Sequence, residues 1–289
     1  MPLPICHLNG EYLPLEDARI SPLDRGFLFA DAVYEVLPVY AGRPFRLREH
    51  FDRLARSLRE IGMAPPRTHA QWAQICLQLT RRNGGGDMIL YVQVSRGGEF
   101  GRNHAWPDGL EPTVFAFASA LEPTPPRLLE HGVAAIVAED IRWARRDIKS
   151  TALLANVLLK KRAADAGAYE AILLENGRLT EGSSTTVHVV ERGVIRTPPN
   201  GHEILPGTTR DVVELLASRL GIPAEAAPID AAALRAADEI WLAFSTRGIL
   251  PVTSLDDVAV GAGEPGPLFR RLHAAFEAYV RELAGTPPL

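Results

Sequence analysis

The chain is poor in lysine. Of its 31 Lys and Arg residues only Lys149, Lys160 and Lys161 are lysines, so arginine serves almost wherever a cation is needed. A guanidinium stays protonated and cannot act as an amine nucleophile, so a retained lysine raises the question of whether a primary amine is required. Lys160 and Lys161 read as exposed helix residues, which leaves Lys149 as the one to follow. Cysteine is scarcer still. Cys6 and Cys76 stand far apart with no disulfide-framework or metal-ligand spacing, so no metal site is expected. No apolar run approaches the roughly 20 residues that cross a bilayer, and Met1–Cys6 lacks a charged region followed by an apolar one. A soluble cytoplasmic protein, with no membrane partner, is the expectation. Positive charge is not in surplus, the net charge being -4. Arg81–Arg82, Arg145–Arg146 and Lys160–Arg162 lack interleaved aromatics and read as solvated surface, so no nucleic-acid partner is expected. No Gly-Lys-Ser/Thr loop or dinucleotide fingerprint is present, which argues against nucleotide binding.

What is present is a chain of 289 residues, 46% hydrophobic, enough for more than one small domain. Asn9-Gly10 between Ile5–Leu8 and Glu11–Leu13 predicts a hairpin. Val33–Tyr40, Met88–Ser95 and Thr113–Ser119 read as strands. Leu47, Phe51, Leu54, Leu58 and Ile61 recur at helical spacing, ending at Gly62. A second helix is predicted over Thr68–Arg82, and a loop over Arg96–Gly109. Leu121–Pro126 is a proline-stiffened linker, which divides the chain into 1–120 and 127–289. Beyond it, strands are predicted at Val133–Ala138, Glu170–Leu174, Thr185–Val190, Val194–Thr197 and Ile240–Phe244. Helices are predicted at Thr151–Ala166, Thr209–Leu220 and Pro267–Leu283. The mixture indicates an α+β protein of two lobes.

Several side chains are placed where chemistry happens. Lys149 lies where an extended segment, Ile141–Ile148, gives way to a helix with Ser150 as its cap. Glu181 sits in Leu179-Thr-Glu-Gly-Ser-Ser184, where Gly182 permits close backbone approach. Pro206-Gly-Thr-Thr-Arg210 opens a helix with hydroxyl residues, an anion-binding arrangement. Phe244-Ser-Thr246 ends an apolar strand with two more hydroxyls, and Arg53 offers a charge. Arg102 and His104, one residue apart, point the same way if extended and suit a carboxylate. Each pattern has a plain structural reading as well: a surface lysine, a hairpin acid, ordinary capping, a loop histidine.

Taken in order, these segments resemble the class IV pyridoxal-phosphate aminotransferases, and most closely the D-amino-acid aminotransferases among them. The resemblance rests on Asp24-Arg-Gly26 with Asp31-Ala-Val-Tyr-Glu35, Glu49-His-Phe-Asp-Arg-Leu54, Ser95-Arg-Gly97 with Arg102-Asn-His104, and Glu139-Asp-Ile-Arg-Trp143. It continues through Asp147-Ile-Lys-Ser150, Thr180-Glu-Gly-Ser-Ser184 and Gly207-Thr-Thr-Arg-Asp211. It implies a fold-type IV enzyme, with a small N-terminal α/β lobe and a larger C-terminal β-barrel-like lobe. It implies pyridoxal 5'-phosphate bound as a Schiff base to Lys149, with Glu181 on the pyridine nitrogen and Arg142 near the ring hydroxyl. Arg53, Thr208, Thr209, Ser245 and Thr246 would hold the phosphate, and Tyr34, Arg102 and His104 would trap the substrate carboxylate. A homodimer is implied, because in the family the Arg–His loop reaches into the partner's site.

The chain departs from the family at Ala30 and Ala32, where glycine is usual, and at Ser183-Ser-Thr-Thr186, which commonly ends in Asn. It departs again at Arg247, where a small or hydroxyl residue is more usual; a guanidinium there would bind a second substrate carboxylate or plug the pocket. The implied reaction is amino transfer from a D-alanine-like donor to 2-oxoglutarate or pyruvate. (R)-amine or branched-chain transamination, and an aminodeoxychorismate lyase, are the alternatives on the same scaffold.

Overall fold

The computed structural model describes residues 1–98 and 101–285. Glu99 and Phe100 of the predicted loop, and residues 286–289 at the end of the predicted second lobe, lie outside the described residues. The chain divides into two compact units. The first comprises Met1–Glu122 with Ile148–Ala152 and the chain end from Leu283; the second comprises Pro123–Asp147 and Leu153–Glu282.

The first unit contains β1 (Pro2–Leu8), β2 (Glu11–Pro14), α1 (Arg25–Phe29), β3 (Ala32–Tyr40), β4 (Arg43–Pro44), α2 (Leu47–Glu60), α3 (His69–Arg82), β5 (Met88–Ser95) and β6 (Thr113–Ala120). Its strands form one antiparallel sheet in the order β2-β1-β6-β5-β3-β4. The first hairpin turns at Asn9 and Gly10, both at positive φ (51° and 105°), as a type I′ turn requires. Alternation along β5 buries Met88, Leu90, Val92 and Val94, and Phe51, Leu54, Leu58, Trp72 and Leu79 of the two long helices join the same core. Phe51 and Trp72 stack with centroids 5.1 Å apart. Truncating either ring to Ala would cost about 3–5 kcal/mol. Thr68 closes a capping box with Gln71 at the start of α3.

The second unit contains α4 (Pro126–Glu130), β7 (Val133–Glu139), α5 (Leu154–Asp165), β8 (Glu170–Glu175), β9 (Arg178–Gly182), β10 (Thr186–Glu191) and β11 (Val194–Thr197). It continues through α6 (Thr208–Arg219), β12 (Ala224–Ala226), α7 (Ala231–Arg235), β13 (Glu239–Phe244), β14 (Gly248–Leu255), β15 (Val258–Ala259) and α8 (Pro267–Gly285). Its sheet runs β12-β11-β10-β13-β14-β7-β8-β9, with β15 beside β14. β9, at one edge, passes into β10 through residues 183–185, and the Gly182 N–H donates to Thr185 C=O at 2.7 Å. An edge strand can reach a third-from-the-edge strand that directly only if the sheet curls, so the layer is barrel-like. The protein is α+β, as its sequence indicates.

Three local expectations are corrected. The helix predicted from Thr151 starts at Leu154, because Lys149–Thr151 pairs with β3 instead: Tyr34 N–H donates to Lys149 C=O at 2.9 Å and Thr151 N–H to Ala32 C=O at 3.0 Å. Ser150 therefore forms a bridge with Val33 and caps no helix. The stretch 141–148 is a series of bends rather than a strand. Arg146, expected on solvated surface, is buried and paired. No described helix is long and apolar enough to cross a membrane.

Candidate active site

In the first unit, Lys149 is clamped through its backbone. Its carbonyl accepts from Tyr34, its N–H donates to Ser57 Oγ at 3.2 Å, and the next two residues are stitched to β3. A residue fixed on both sides presents its side chain in one direction, and Lys149 Nζ lies 4.4 Å from the centre of the Tyr34 ring. Tyr34 is in turn stacked on Tyr91 at 5.5 Å.

The residue after Tyr34 points to the opposite face of β3, and it is a charge. Glu35 is fully buried and takes two hydrogen bonds from Arg53, each 2.7 Å, and one contact from His50 Nδ1 at 2.7 Å. Burial pushes the Glu35 carboxyl up, but the Arg53 guanidinium and His50 outweigh it and hold its pKa at about 2. Burial depresses His50 despite Glu35, and the charges of Arg53 and Lys149 add to the depression. The candidate phosphate charge, Arg53, is thus oriented by an acid and a histidine that the sequence motifs contain but to which sequence reasoning gives no role.

Arg102 and His104 are exposed and share one anchor, Phe29. Arg102 lies 5.0 Å from that ring centre, and the His104 ring is 5.3 Å away. Arg25 donates to the carbonyls of Asn103 (2.7 Å) and His104 (3.0 Å), while its Nε bonds Asp31 at 2.9 Å. Arg96 holds the same Asp31 at 2.8 and 3.0 Å. Gly97, at φ 94°, is required: a Cβ there would lie 2.0 Å from Glu111 C=O. The motifs around Asp24–Gly26, Asp31 and Ser95–Gly97 therefore build the base of this loop. Neither Arg102 nor His104 is hydrogen-bonded to Tyr34 or Lys149 in the described chain.

In the second unit, Glu181 lies near the end of β9, inside a strand rather than in the loop that its sequence suggests. Its carboxylate accepts from Arg142 Nη1 and from the Leu205 N–H at 3.2 Å. Arg142 is itself gripped by Asp140 through Nε (2.9 Å) and Nη2 (2.7 Å), and Thr180 donates to the same Asp140 at 2.7 Å. Burial raises the Glu181 carboxyl, and the single guanidinium arm and the Leu205 amide only partly oppose it. Asp140, with two arms of Arg142 and the Thr180 hydroxyl, is held below the usual range against its own burial. Arg146, bonded to Glu175 at 2.7 and 3.0 Å, lies 3.5 Å from Asp140. Asp140 and Thr180 are site residues that the sequence reading does not single out; their positions, two before Arg142 and one before Glu181, are the available signal.

The candidate anion donors gather around Glu181. Leu205, which bonds Glu181, leads within two residues to Gly207, the start of α6. A Cβ on Gly207 would meet Thr186 Oγ1 at 2.6 Å, and Thr186 pairs with Ala243 of β13, two residues before Ser245. The buried Thr208 and Thr209, and the Ser245-Thr246 turn, are thus joined through Thr186. Gly207 offers no side-chain cap to α6, and a helix start of this kind, with its backbone amides, suits an anion. Arg247 follows in the same turn as Ser245 and Thr246. Among the described residues no group of three His, Cys, Asp or Glu side chains is placed to hold a metal ion.

The first unit thus holds a lysine clamped through its main chain, and the second holds a buried acid and a hydroxyl-rich helix start. The model of the class IV amino-transferase family matches residues 32–255, and the chain belongs to that family, whose cofactor is pyridoxal 5'-phosphate. Among its relatives is the D-alanine aminotransferase of Staphylococcus epidermidis, 37% identical over 275 residues, covering 95% of this chain and 97% of the relative. The D-alanine aminotransferase of Bacillus licheniformis is 38% identical over 269 residues, covering 93% and 94%. Among solved structures, the branched-chain amino acid aminotransferase from Escherichia coli superimposes with a TM-score of 0.88 at 27% identity, over 96% of this chain and 94% of that one. A second branched-chain amino acid aminotransferase, solved with pyridoxamine 5'-phosphate, gives 0.89 at 26% identity over the same shares.

The residues present fit the cofactor part by part. Taken one group at a time, Lys149 would offer the amine that an aldehyde requires, Glu181 the buried acid that a pyridine nitrogen requires, and the start of α6 around Gly207 the hydroxyls and amides that a phosphate requires.

Proposed function

We propose that the protein transfers the amino group of a D-amino acid, D-alanine or one like it, to a 2-oxo acid such as 2-oxoglutarate or pyruvate. The observation that carries the reading is the buried Glu181, bonded to Arg142 and Leu205 directly ahead of the hydroxyl-rich start of α6. The D-alanine specificity is supported by relatives of that name that match nearly the whole chain at 37–38% identity. The branched-chain enzymes share its shape at lower identity.

When bound, pyridoxal 5'-phosphate supplies an aldehyde carbon that exchanges amino groups and a ring that withdraws electrons from the substrate's Cα. Lys149 would hold the aldehyde through its ε-amine, and its Nζ would carry the proton taken from the substrate's Cα to the carbon of that aldehyde. Tyr34 packs against that Nζ and limits its path. Glu181, oriented by Arg142, would keep the ring nitrogen protonated, and Arg142 would stand near the ring hydroxyl. Arg53, Thr208, Thr209, Ser245 and Thr246 hold the phosphate; Glu35 and His50 orient Arg53. Arg102 and His104 take the substrate's α-carboxylate with Tyr34.

The working form is a homodimer, a reading supported by the exposed Arg102–His104 loop and by exposed Phe27, Leu154 and Val157. The cytoplasm is its place, in keeping with two buried free thiols. Leu121–Pro126 joins the N-terminal and C-terminal domains. The test is a panel of D- and L-amino acids, (R)-phenylethylamine and aminodeoxychorismate. D-alanine with 2-oxoglutarate is to give pyruvate and D-glutamate faster than any L-amino acid or amine of the panel reacts. Preference for an L-branched-chain donor, or pyruvate release from aminodeoxychorismate without an acceptor, overturns the assignment.

A further inference from the structure

β13 and β14 are joined by a turn of three residues, Ser245–Arg247, closed by the pairing of Phe244 with Gly248. Gly248 is at φ 68°, and a Cβ there would meet the Phe276 ring at 2.7 Å. The turn is therefore fixed by packing, and with it the direction in which Arg247 leaves the backbone. Ser245 and Thr246 are already assigned to an anion. Arg247 is not: the sequence leaves it open between binding a second substrate carboxylate and plugging the pocket.

Its guanidinium is peculiar in one respect: Nη1 is buried, and no described residue accepts a hydrogen bond from it. Arg247 enters no ion pair with a described residue. Desolvating a guanidinium N–H without an acceptor is costly, so such a group is normally matched by an anion. The surroundings supply none. Glu170, the acid next to Tyr169, is consumed by the hydroxyls of Ser183, Ser184 (2.9 Å) and Thr185 (3.3 Å) and by the Ala171 N–H. Lys160, 3.7 Å from that carboxylate, adds a further positive charge.

A phenol packs near the turn that carries Arg247. Tyr169 lies with its ring 6.4 Å from that of Phe244, the residue that opens the turn. Its main chain is held by Ala134 and by Lys160. Burial pushes the Tyr169 hydroxyl up while the Arg247 charge pulls it down, so the two groups sense each other. A buried guanidinium N–H without an acceptor, with the nearby acid engaged elsewhere, suits an oxyanion.

We propose that Arg247 is a carboxylate-reading subsite that selects dicarboxylic substrates, namely D-amino acids and 2-oxo acids whose side chain ends in a second carboxylate. The inference rests on the amino-transfer reading, in which Arg102 and His104 take the α-carboxylate and leave this guanidinium for the distal one. A carboxylate is favoured over the cofactor phosphate because Thr208, Thr209, Ser245 and Thr246 already furnish that phosphate with donors.

The test uses holoenzyme of the wild type, Arg247→Ala and Arg247→Lys. Single-turnover amino transfer is measured from D-glutamate and D-alanine, and calorimetry compares the unreactive anions glutarate and butyrate. In Arg247→Ala the D-glutamate to D-alanine rate ratio falls about 10- to 100-fold, the value of one charge-assisted hydrogen bond. Arg247→Lys, which keeps the charge without the fork, lies between. Wild type binds glutarate at least about tenfold more tightly than butyrate, and Arg247→Ala loses that preference. An unmoved ratio, or equal binding of the two anions by wild type, overturns the subsite. A weakened cofactor affinity in Arg247→Ala with the ratio unchanged overturns it in favour of the phosphate. If Arg247→Ala does not fold, the lysine variant and the wild-type anion comparison decide. Failure of the wild type to use either donor would refute the amino-transfer reading, whereas D-alanine transfer with an unmoved ratio refutes only the subsite.

Discussion

The Arg142 guanidinium reaches Glu181 with one nitrogen while Asp140 grips its other edge at 2.9 and 2.7 Å. Arg142 is therefore divided unequally: two arms neutralise Asp140 and one steadies Glu181. The result is visible in the two acids. Asp140 is pulled below the usual carboxylate range, whereas Glu181 stays above it because burial is only partly offset. An acid left short of positive charge in a dry environment is one that gains by meeting another cation. A protonated ring nitrogen would be such a cation.

Replacing Glu181 with Gln is expected to slow the proton-transfer step by about 100-fold. Cofactor affinity is expected to change by less, because the phosphate donors around Gly207 and Ser245 remain. Stopped-flow kinetics against a cofactor titration separates the two. Equal losses in rate and affinity would remove the ring-nitrogen role.

The Glu35 cluster carries a pH signature. The carboxyl falls from its ordinary 4.5 to about 2 in the folded chain. A depressed acid stabilises the fold above its unfolded pKa, and that contribution fades as pH drops from about 4.5 through about 2. The shift corresponds to roughly 3 kcal/mol. Glu35→Gln cannot titrate, so the stability gap between wild type and variant should be widest at neutral pH and narrow by about that amount in acid. Urea unfolding at a series of pH values measures it. A gap independent of pH would mean that Glu35 is not held ionised by Arg53 and His50.

Much of the first unit is written in local patterns. Asn9-Gly10 sets its hairpin, the spacing of Phe51, Leu54 and Leu58 sets α2, and alternation sets β5. The second unit hides more. β14 escapes a sequence reading because Pro251 stands inside it, and proline is rare within a strand paired on both sides. β9 escapes it because Arg178–Gly182 is short and polar. At the site, Lys149 and Glu181 stand out through their motifs, but the partners that position them do not. Arg146 finds Glu175 29 residues away, and Arg53 finds Glu35 across 18. Such pairings depend on sheet register, which no short window of sequence contains. The misplaced helix start near Ser150 has the same origin, since pairing with β3 overrides a good local cap.

Arg102 is expected to act on substrate rather than on the fold. Its guanidinium is exposed, and its contact in the described chain is the Phe29 ring at 5.0 Å, so Arg102→Ala should cost within about 0.5 kcal/mol of stability. It should raise KM for D-alanine by about tenfold or more. Steady-state kinetics beside a thermal melt checks both. An unchanged KM excludes the clamp.

The central claim concerns the side-chain amine of Lys149, whose main chain is held by Tyr34 and Ser57. The direct measurement is the visible absorption spectrum of purified protein after incubation with pyridoxal 5'-phosphate and removal of the excess, compared for wild type and Lys149→Ala. The wild type should keep a visible band that borohydride bleaches, with the reduced cofactor then found by peptide mass analysis on Lys149, and the variant should show none. A colourless wild type, or cofactor fixed to Lys160 or Lys161 instead, would contradict the account.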